Sequence, residues 1–417
     1  MVSPELQPLS GRRLNQSLAL AIGAGPEQIG SILRAQDLGY RVLAVDRDSR
    51  APGFSVADEA QAIDIRDEAA VIQVARNAGI DLTLPVPIGR LLTTQGAVHD
   101  ALGLRGVSRD AALRCTDKAL FHRCLLNAGV PRPWQRTYAD DPVLWEEDGT
   151  DWTYPVVLKP THGAGSRGVR VIGSLADWIS LKQEGADDRG RYAEGAVLEA
   201  FVRGTEIGLD GAVVNGKVTL TLARAKALTP LPYRVELTYR APAHLPARAI
   251  ETIRTNVQRA AKALGITNSV FHADAIWTLD DNLVLLELSA RPSGLMIARK
   301  LIPACTGVDF LAEAIRLHAT GKGVFEAKFH RPTLLYYLHH HKGRVRGVPP
   351  MKDLLRIPHL MDAEVGLVPG QVLRTPSHIG EFIKNGYLLL NAESWPEIEL
   401  TLNLALSLFE IKSDDFS

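Results

Sequence analysis

Residues 154–172 read Tyr-Pro-Val-Val-Leu-Lys-Pro-Thr-His-Gly-Ala-Gly-Ser-Arg-Gly-Val-Arg-Val-Ile. An apolar, β-branched strand, Val156–Lys159, ends in a lysine. A run of small residues follows, and a second strand, Val169–Ile172, resumes the apolar pattern. Small residues let backbone N–H groups close on phosphate oxygens, and the lysine supplies a point charge. No Gly-Lys-Ser/Thr occurs and no helix follows, so this is not a Walker-type loop. An ordinary glycine-rich hairpin would read much the same, and the neighbouring segments decide between the two.

Two further stretches follow it in order. Val197–Glu206 is an apolar strand edge carrying Glu199 and Glu206 on either side of Gly204. One carboxylate can accept both hydroxyls of a ribose while exposed backbone pairs with an adenine edge. Taken alone, the stretch is an amphipathic strand and turn. The third runs from His272-Ala-Asp274 to Glu287-Leu-Ser289-Ala-Arg291-Pro-Ser293-Gly294. Alternate strand residues point the same way, so Asp274, Glu287 and Ser289 can share a face, with Arg291 two places beyond Ser289. Buried acids need partners, and oxygen-only ligands select magnesium or manganese over zinc. The alternative is an exposed face with a structural salt bridge from Glu287 to Arg291.

Upstream, strands Leu18–Ile22 and Arg41–Val45 and a strand-like Asp81–Pro85 alternate with helices Glu27–Leu38 and Glu68–Ala78. This βαβαβ order predicts a parallel sheet with right-handed crossovers. Gly23 and Gly25 with Asp46 look like a dinucleotide fingerprint, but the third glycine, Gly30, falls two places late, and a tight turn without cofactor is the preferred reading. Lys118–Asn127 is a helix stopped at Gly129, and Asp140–Trp152 reads as a polar, acidic linker. Strands are expected at Ala196–Phe201, Leu209–Val214, Lys217–Thr221, Val270–Ile276 and Leu283–Leu288. Helices are expected at Pro246–Leu264, Gly294–Leu301, Phe310–Thr320 and Trp395–Leu408, and an exposed loop at Gln183–Arg191.

Composition limits the partners. The 47 basic and 47 acidic residues cancel, so no basic surplus announces a nucleic acid. Three scattered cysteines (Cys115, Cys124, Cys305) exclude a disulfide framework and a thiolate zinc site. No apolar run approaches a membrane helix, and Met1–Arg13 lacks an apolar leader core, so a cytoplasmic protein without membrane partner is expected. The run His339–His341 invites a metal reading, but adjacent strand residues face opposite sides and cannot converge on one ion. His162 and His272 sit near the expected chemistry as supporting residues.

Taken together, in this order, the three stretches resemble the ATP-grasp superfamily, over nearly the whole chain. Thr116-Asp-Lys118, its helix and Ala-Gly-Val-Pro131 are similar to that family's signature between its first two domains. Pro232-Tyr-Arg-Val-Glu236, Pro242-Ala-His-Leu-Pro246, Glu287–Gly294, Ala304–Asp309, Gly343–Gly347, Val368–Gly370 and Asn385-Gly386 resemble the L-amino acid ligase type within it.

The resemblance implies an α/β and α+β ATP-grasp fold in three parts. These are a Rossmann-like pre-ATP-grasp domain (1–116), an ATP-grasp domain (117–325, lid about 150–205) and a small C-terminal α+β domain (326–417). It implies an ATP-dependent carboxylate–amine ligase working through an acyl phosphate, with ATP and Mg2+ (or Mn2+) as cofactors, small-molecule substrates and a homodimer. A bicarbonate- or formate-activating enzyme of purine-type metabolism, or a degenerate ATP-binding protein, are the alternatives.

By the same resemblance, Lys118, Lys159 and the loop bearing Gly163, Gly165, Ser166 and Gly168 take the phosphates. Glu199, the main chain at Ala200 and Val202, and Glu206 take adenine and ribose. Asp274, Glu287 and Ser289 take the metal, and Arg291 the acyl phosphate. Arg90, Glu236, Tyr239, Ser293 and Gly294 are implied substrate contacts. Three positions depart from the family pattern. Ser289 stands for the usual asparagine, Tyr239 for a histidine, and Gly89 or Arg90 for an acid that grips an ammonium.

Overall fold

The computed structural model describes residues 17–85, 89–139, 141–163, 165–183, 190–339 and 343–412. Met1–Arg13, residues 86–88 of the Pro85–Arg90 segment, most of the Gln183–Arg191 loop and two residues of the His339–His341 run lie outside them.

The N-terminal part is a parallel four-stranded sheet. Its strands are β1 (Leu18–Ile22), β2 (Arg41–Asp46), β3 (Glu59–Ala62) and β4 (Leu82–Thr83), in the order β3-β2-β1-β4. The first crossover helix, α1 (Pro26–Asp37), starts on a proline, whose missing N–H costs nothing there. Asp46 closes the glycine-rich turn by accepting from the Ala24 N–H (2.8 Å), so its carboxylate is occupied in the turn itself. Three helices follow α2 (Glu68–Ala78): α3 (Leu91–Leu102), α4 (Arg109–Thr116) and α5 (Lys118–Asn127). Asp117 caps α5 through the Leu120 N–H (2.9 Å) and so sets Lys118 at the helix start.

A second sheet, ordered β5-β8-β6-β7, is antiparallel: β5 (Gln135–Tyr138), β6 (Val156–Pro160), β7 (Arg170–Ile172) and β8 (Ala196–Ala200). The expected acidic linker is structured. It opens with a helix, Asp141–Glu146, and sends Trp145 and Trp152 onto Trp178, with ring centroids 5.3 and 4.9 Å away. The acids around them mask this apolar content in the sequence.

The central sheet is antiparallel, eight strands wide, in the order β13-β12-β9-β10-β11-β14-β18-β16. Its first five in chain order are β9 (Gly204–Val214), β10 (Lys217–Leu228), β11 (Glu236–Ala241), β12 (Ser269–Thr278) and β13 (Leu283–Ser289). β14 (Thr333–Tyr337), β16 (Leu360–Val365) and β18 (Gly386–Asn391) complete it, so one sheet runs across the expected boundary at residue 325. A smaller sheet, β17 (Val372–Leu373), β15 (Gly343–Gly347) and β19 (Glu410–Lys412), lies in the C-terminal region.

Two elements differ from expectation. β10 runs seven residues past Thr221, because Arg224 and Lys226 are buried charges that break the apolar signal of a strand. The expected helix at Gly294–Leu301 begins only at Ile297, with a π-helical turn. Before it, Leu295 (φ 56°) and Met296 (φ 61°) hold the left-handed region, which bulky residues rarely adopt. Two contacts hold the turn: Glu27 accepts from the Leu295 N–H (3.0 Å), and the Tyr337 hydroxyl donates to the Leu295 carbonyl.

Candidate active site

Between the second sheet and β9–β13 lies a cavity of about 510 Å³. Its apolar lining includes Val157, Val171, Phe201, Val202, Ile276 and Leu286. Its charged lining includes Lys118, Lys159, Lys226 and Arg291 together with Glu206, Glu236, Asp274 and Glu287.

Lys159 is the penultimate residue of β6, and its Nζ lies 2.6 Å from Oε2 of Glu199 on β8. The other Glu199 oxygen meets Nε2 of His122 at 3.0 Å. Burial alone would neutralise Glu199, but Lys159 and His122 outweigh it and hold the carboxyl at about 2. Glu199 therefore lines the cavity as the lysine's counterion, with both oxygens engaged. Burial lowers the Lys118 pKa, against the pull of Glu287.

On the central sheet, Lys226 is buried among three acids: Asp274 (2.7 Å), Glu236 (3.2 Å) and Glu206 (3.5 Å). Burial disfavours its charge, yet Asp274 and its companions raise its pKa well above the ordinary lysine value. Asp274 is driven the other way: burial raises its pKa, and Lys226 more than reverses this. Next to them Arg224 pairs with Asp210 (2.7 Å), which also accepts from Ser293. His272 ties this group to the acids, with Nδ1 3.1 Å from Ser293 Oγ and Nε2 3.4 Å from Asp274. Tyr239 packs edge-on to Tyr337 at 6.3 Å, with the Arg224 guanidinium 5.2 Å from its ring.

Most expected residues converge on this one cavity. Lys118, Lys159, Gly163, Gly165, Ser166, Glu199, Ala200, Val202 and Glu206 line it, as do Glu236, Tyr239, Asp274, Glu287, Arg291, Ser293 and Gly294.

Three are placed otherwise. Arg90 turns outward to Glu194 (2.9 Å) with its side chain 59% exposed, and Gly89 lines the cavity instead. Gly168 closes the loop: a Cβ there would lie 2.8 Å from Pro160 Cγ at φ 72°, and its carbonyl accepts from Tyr192. Ser289 pairs with His272 across the ladder, buried within the wall and short of the cavity. A four-residue spacing also links Glu287 to Arg291 (3.5 Å), although β13 ends at Ser289.

The residues that sequence reasoning missed are Glu27, His122, Arg224, Lys226 and Arg234. The alternation Leu222-Ala-Arg224-Ala-Lys226-Ala-Leu228 carried a strand signal for two of them. No local pattern marks Glu27 or His122, which arrive from other elements.

A magnesium ion fits this donor set in part. Asp274 and Glu287 are partners across adjacent strands and both reach the cavity. The buried Ser289 hydroxyl has no hydrogen-bond partner among the described residues. No group of three His, Cys, Asp or Glu side chains among them is arranged to hold a metal alone. That suits magnesium, which keeps waters and shares phosphate oxygens while using one or two carboxylates.

Residues 152–299 match the family described as the ATP-grasp domain. The chain is 27% identical over 204 residues to a formate-dependent phosphoribosylglycinamide formyltransferase of Bordetella pertussis, covering 47% of this chain and 49% of that protein. It thus spans about half the length of the curated relatives it matches. Among solved structures, the L-amino acid ligase from Bacillus licheniformis superposes with a TM-score of 0.79 at 18% identity, over 97% of this chain and 100% of that one. Phosphoribosylglycinamide synthetase from Anaerococcus prevotii gives 0.71 at 17% identity, over 95% and 100%. Residues 152–299 thus match an ATP-grasp domain, and the chain shares its fold with these solved structures over nearly its whole length.

Proposed function

We propose that the protein is an ATP-dependent carboxylate–amine ligase. A carboxylate oxygen attacks the γ-phosphorus and ADP leaves; the amine nitrogen then attacks the acyl carbon, phosphate departs and the ammonium proton is lost. The observation that carries this reading is the position of Arg291. It lines the cavity beside Glu287 (3.5 Å), together with Lys118, Lys159 and Asp274. A guanidinium there can donate two parallel hydrogen bonds to an acyl phosphate and stay charged throughout.

Lys159, held by Glu199, and Lys118 at the start of α5 neutralise phosphoryl oxygens. Asp274 and Glu287, with Ser289 behind them, are the oxygens that would hold magnesium, which when bound would offset the charge on the phosphates. The loop Gly163–Gly168 covers the reacting groups and excludes water that would hydrolyse an acyl phosphate.

A bicarbonate- or formate-activating reaction is the second reading, favoured by the identity to a formate-dependent formyltransferase. The test is ADP release measured with amino acids, simple carboxylates, bicarbonate and formate, each crossed with a panel of amines. An amide product with a carboxylate–amine pair supports the ligase. Turnover only with bicarbonate or formate replaces it with the second reading, and no turnover with any pair removes both.

A further inference from the structure

Four further apolar residues line the cavity and pack in a hydrophobic cluster that holds none of Val157, Val171, Phe201, Val202, Ile276 and Leu286. In chain order, one side of the cavity passes from Leu286 through Glu287 and Arg291 to Leu295 and Ile297. Leu286 belongs to the apolar group already described, and Leu295 and Ile297 follow the charged residues in the chain. They are joined by Ile379 and Ile383, which two short 3-10 turns of the C-terminal region bring to the same cavity. Leu295, Ile379 and Ile383 pack on one hydrophobic cluster that includes Tyr337 and Phe382, whose rings lie 5.9 Å apart.

The positive-φ turn at Leu295 and Met296 is what brings Leu295 to the cavity wall, and a strained backbone needs such compensation. The first of the two 3-10 turns also touches the glycine-rich loop that bears Gly165. The Ile379 N–H donates to the Gly165 carbonyl (3.3 Å), and a Cβ at Gly165 would meet Ile379 Cγ2 at 2.6 Å.

We infer that Leu295, Ile297, Ile379 and Ile383 form a side-chain subsite, so that one of the two ligated substrates carries an aliphatic or aromatic group. This rests on the ligase reading and adds the substrate class to it. The apolar group of a bound substrate fills the space beneath Ile379, and Gly165 closes over the same residue. Occupancy of the subsite therefore favours the closed loop, and side-chain choice is made where the loop latches.

The experiment compares glycine with L-leucine and L-phenylalanine, and acetate with isovalerate, as acid and as amine component where the chemistry allows. Wild-type kcat/KM is expected to rise with apolar size for one component. Ile379→Ala and Ile383→Ala should shrink that preference by roughly tenfold or more, the scale of a few methylenes in an apolar pocket. Calorimetric MgATP binding and the thermal midpoint should stay near wild type in Ile383→Ala, which leaves the Ile379–Gly165 contact in place. A preference unchanged in both folded variants overturns the subsite.

If no pair turns over, the ligase reading fails separately. Calorimetric binding of the same probes beside a non-hydrolysable ATP analogue then decides the subsite. Preferential binding of leucine, phenylalanine or isovalerate, lost in the alanine variants, supports it, and no preference overturns it.

Discussion

Lys159 and Glu199 stand two rungs apart on β6 and β8, joined at 2.6 Å, and the same carboxylate holds His122 from α5 at 3.0 Å. Three elements thus meet at one buried anion, and the cavity lysine is oriented before any nucleotide arrives. Glu199→Gln leaves that lysine without its charged partner. The expected result is a loss of about 3–5 kcal/mol in chemical denaturation, the range for breaking a buried pair, with a raised KM for ATP. If the lysine meets phosphate in both ground and transition states, as proposed, Lys159→Ala should raise the KM for ATP and also lower kcat. Wild-type denaturation and kinetics in both variants would remove this role.

Asp274→Asn and Glu287→Gln should each abolish ADP release if these carboxylates hold magnesium. Retention of more than roughly a tenth of wild-type turnover in both, a barrier change of only about 1.4 kcal/mol, would be incompatible with that assignment. The two differ in a second readout. Asp274 is paired to the buried Lys226, so its loss should also lower the thermal midpoint, whereas the more exposed Glu287 should leave it nearly unchanged.

Arg291→Lys keeps the charge and loses the planar fork. A fall in kcat on the order of 10² to 10³ is expected, as for removing one oxyanion donor, with MgATP binding intact by calorimetry. A nearly wild-type lysine variant would mean that Arg291 only neutralises Glu287. Loss of nucleotide binding together with turnover would make it structural.

Stability should fall on mild acidification because of His99. Its Nδ1–H donates to the Val107 carbonyl (2.8 Å), and its Nε2 accepts from the Thr83 hydroxyl (2.7 Å), which itself accepts from Gln95. Burial, helped by His318, lowers its pKa to about 3 from the usual 6.5. The native state therefore refuses a proton that the unfolded chain takes up below 6.5, and stability present above that pH is lost as pH falls. The urea midpoint should drop between about pH 7 and 5, at up to about 1.4 kcal/mol per pH unit for one such proton. His99→Gln should flatten the slope, and an equal slope in both proteins would contradict the account.

Much of this was legible because local chemistry repeats at local spacing. The strand–lysine–glycine loop at 154–172 and the acids at Asp274 and Glu287 need only their own neighbours to be recognised, and the structure brings both to one cavity. What stayed hidden depends on residues distant in the chain. Lys226 on β10 is the partner of acids on β9, β11 and β12, and its charge makes the strand look polar where it is in fact interior. Glu27 meets Leu295 across 268 positions, a contact no window of sequence contains. Ser289 shows the limit of the alternation argument: period two gives the face, but side-chain length decides whether that face reaches the cavity.

The eight-stranded sheet has a consequence for how such proteins can be recombined. β11 lies between β10 and β14, with Thr238–Ala241 paired to Thr333–Tyr336. A chain stopped at residue 325 would bare that row of backbone donors and acceptors as a raw edge, a template for aggregation. Strands β9–β13 and the C-terminal strands are therefore one plate, and a graft that replaces the last ninety residues cuts through a hydrogen-bonded ladder. Any transfer of substrate preference has to be made within loops such as 377–385, with the strands on either side left in place.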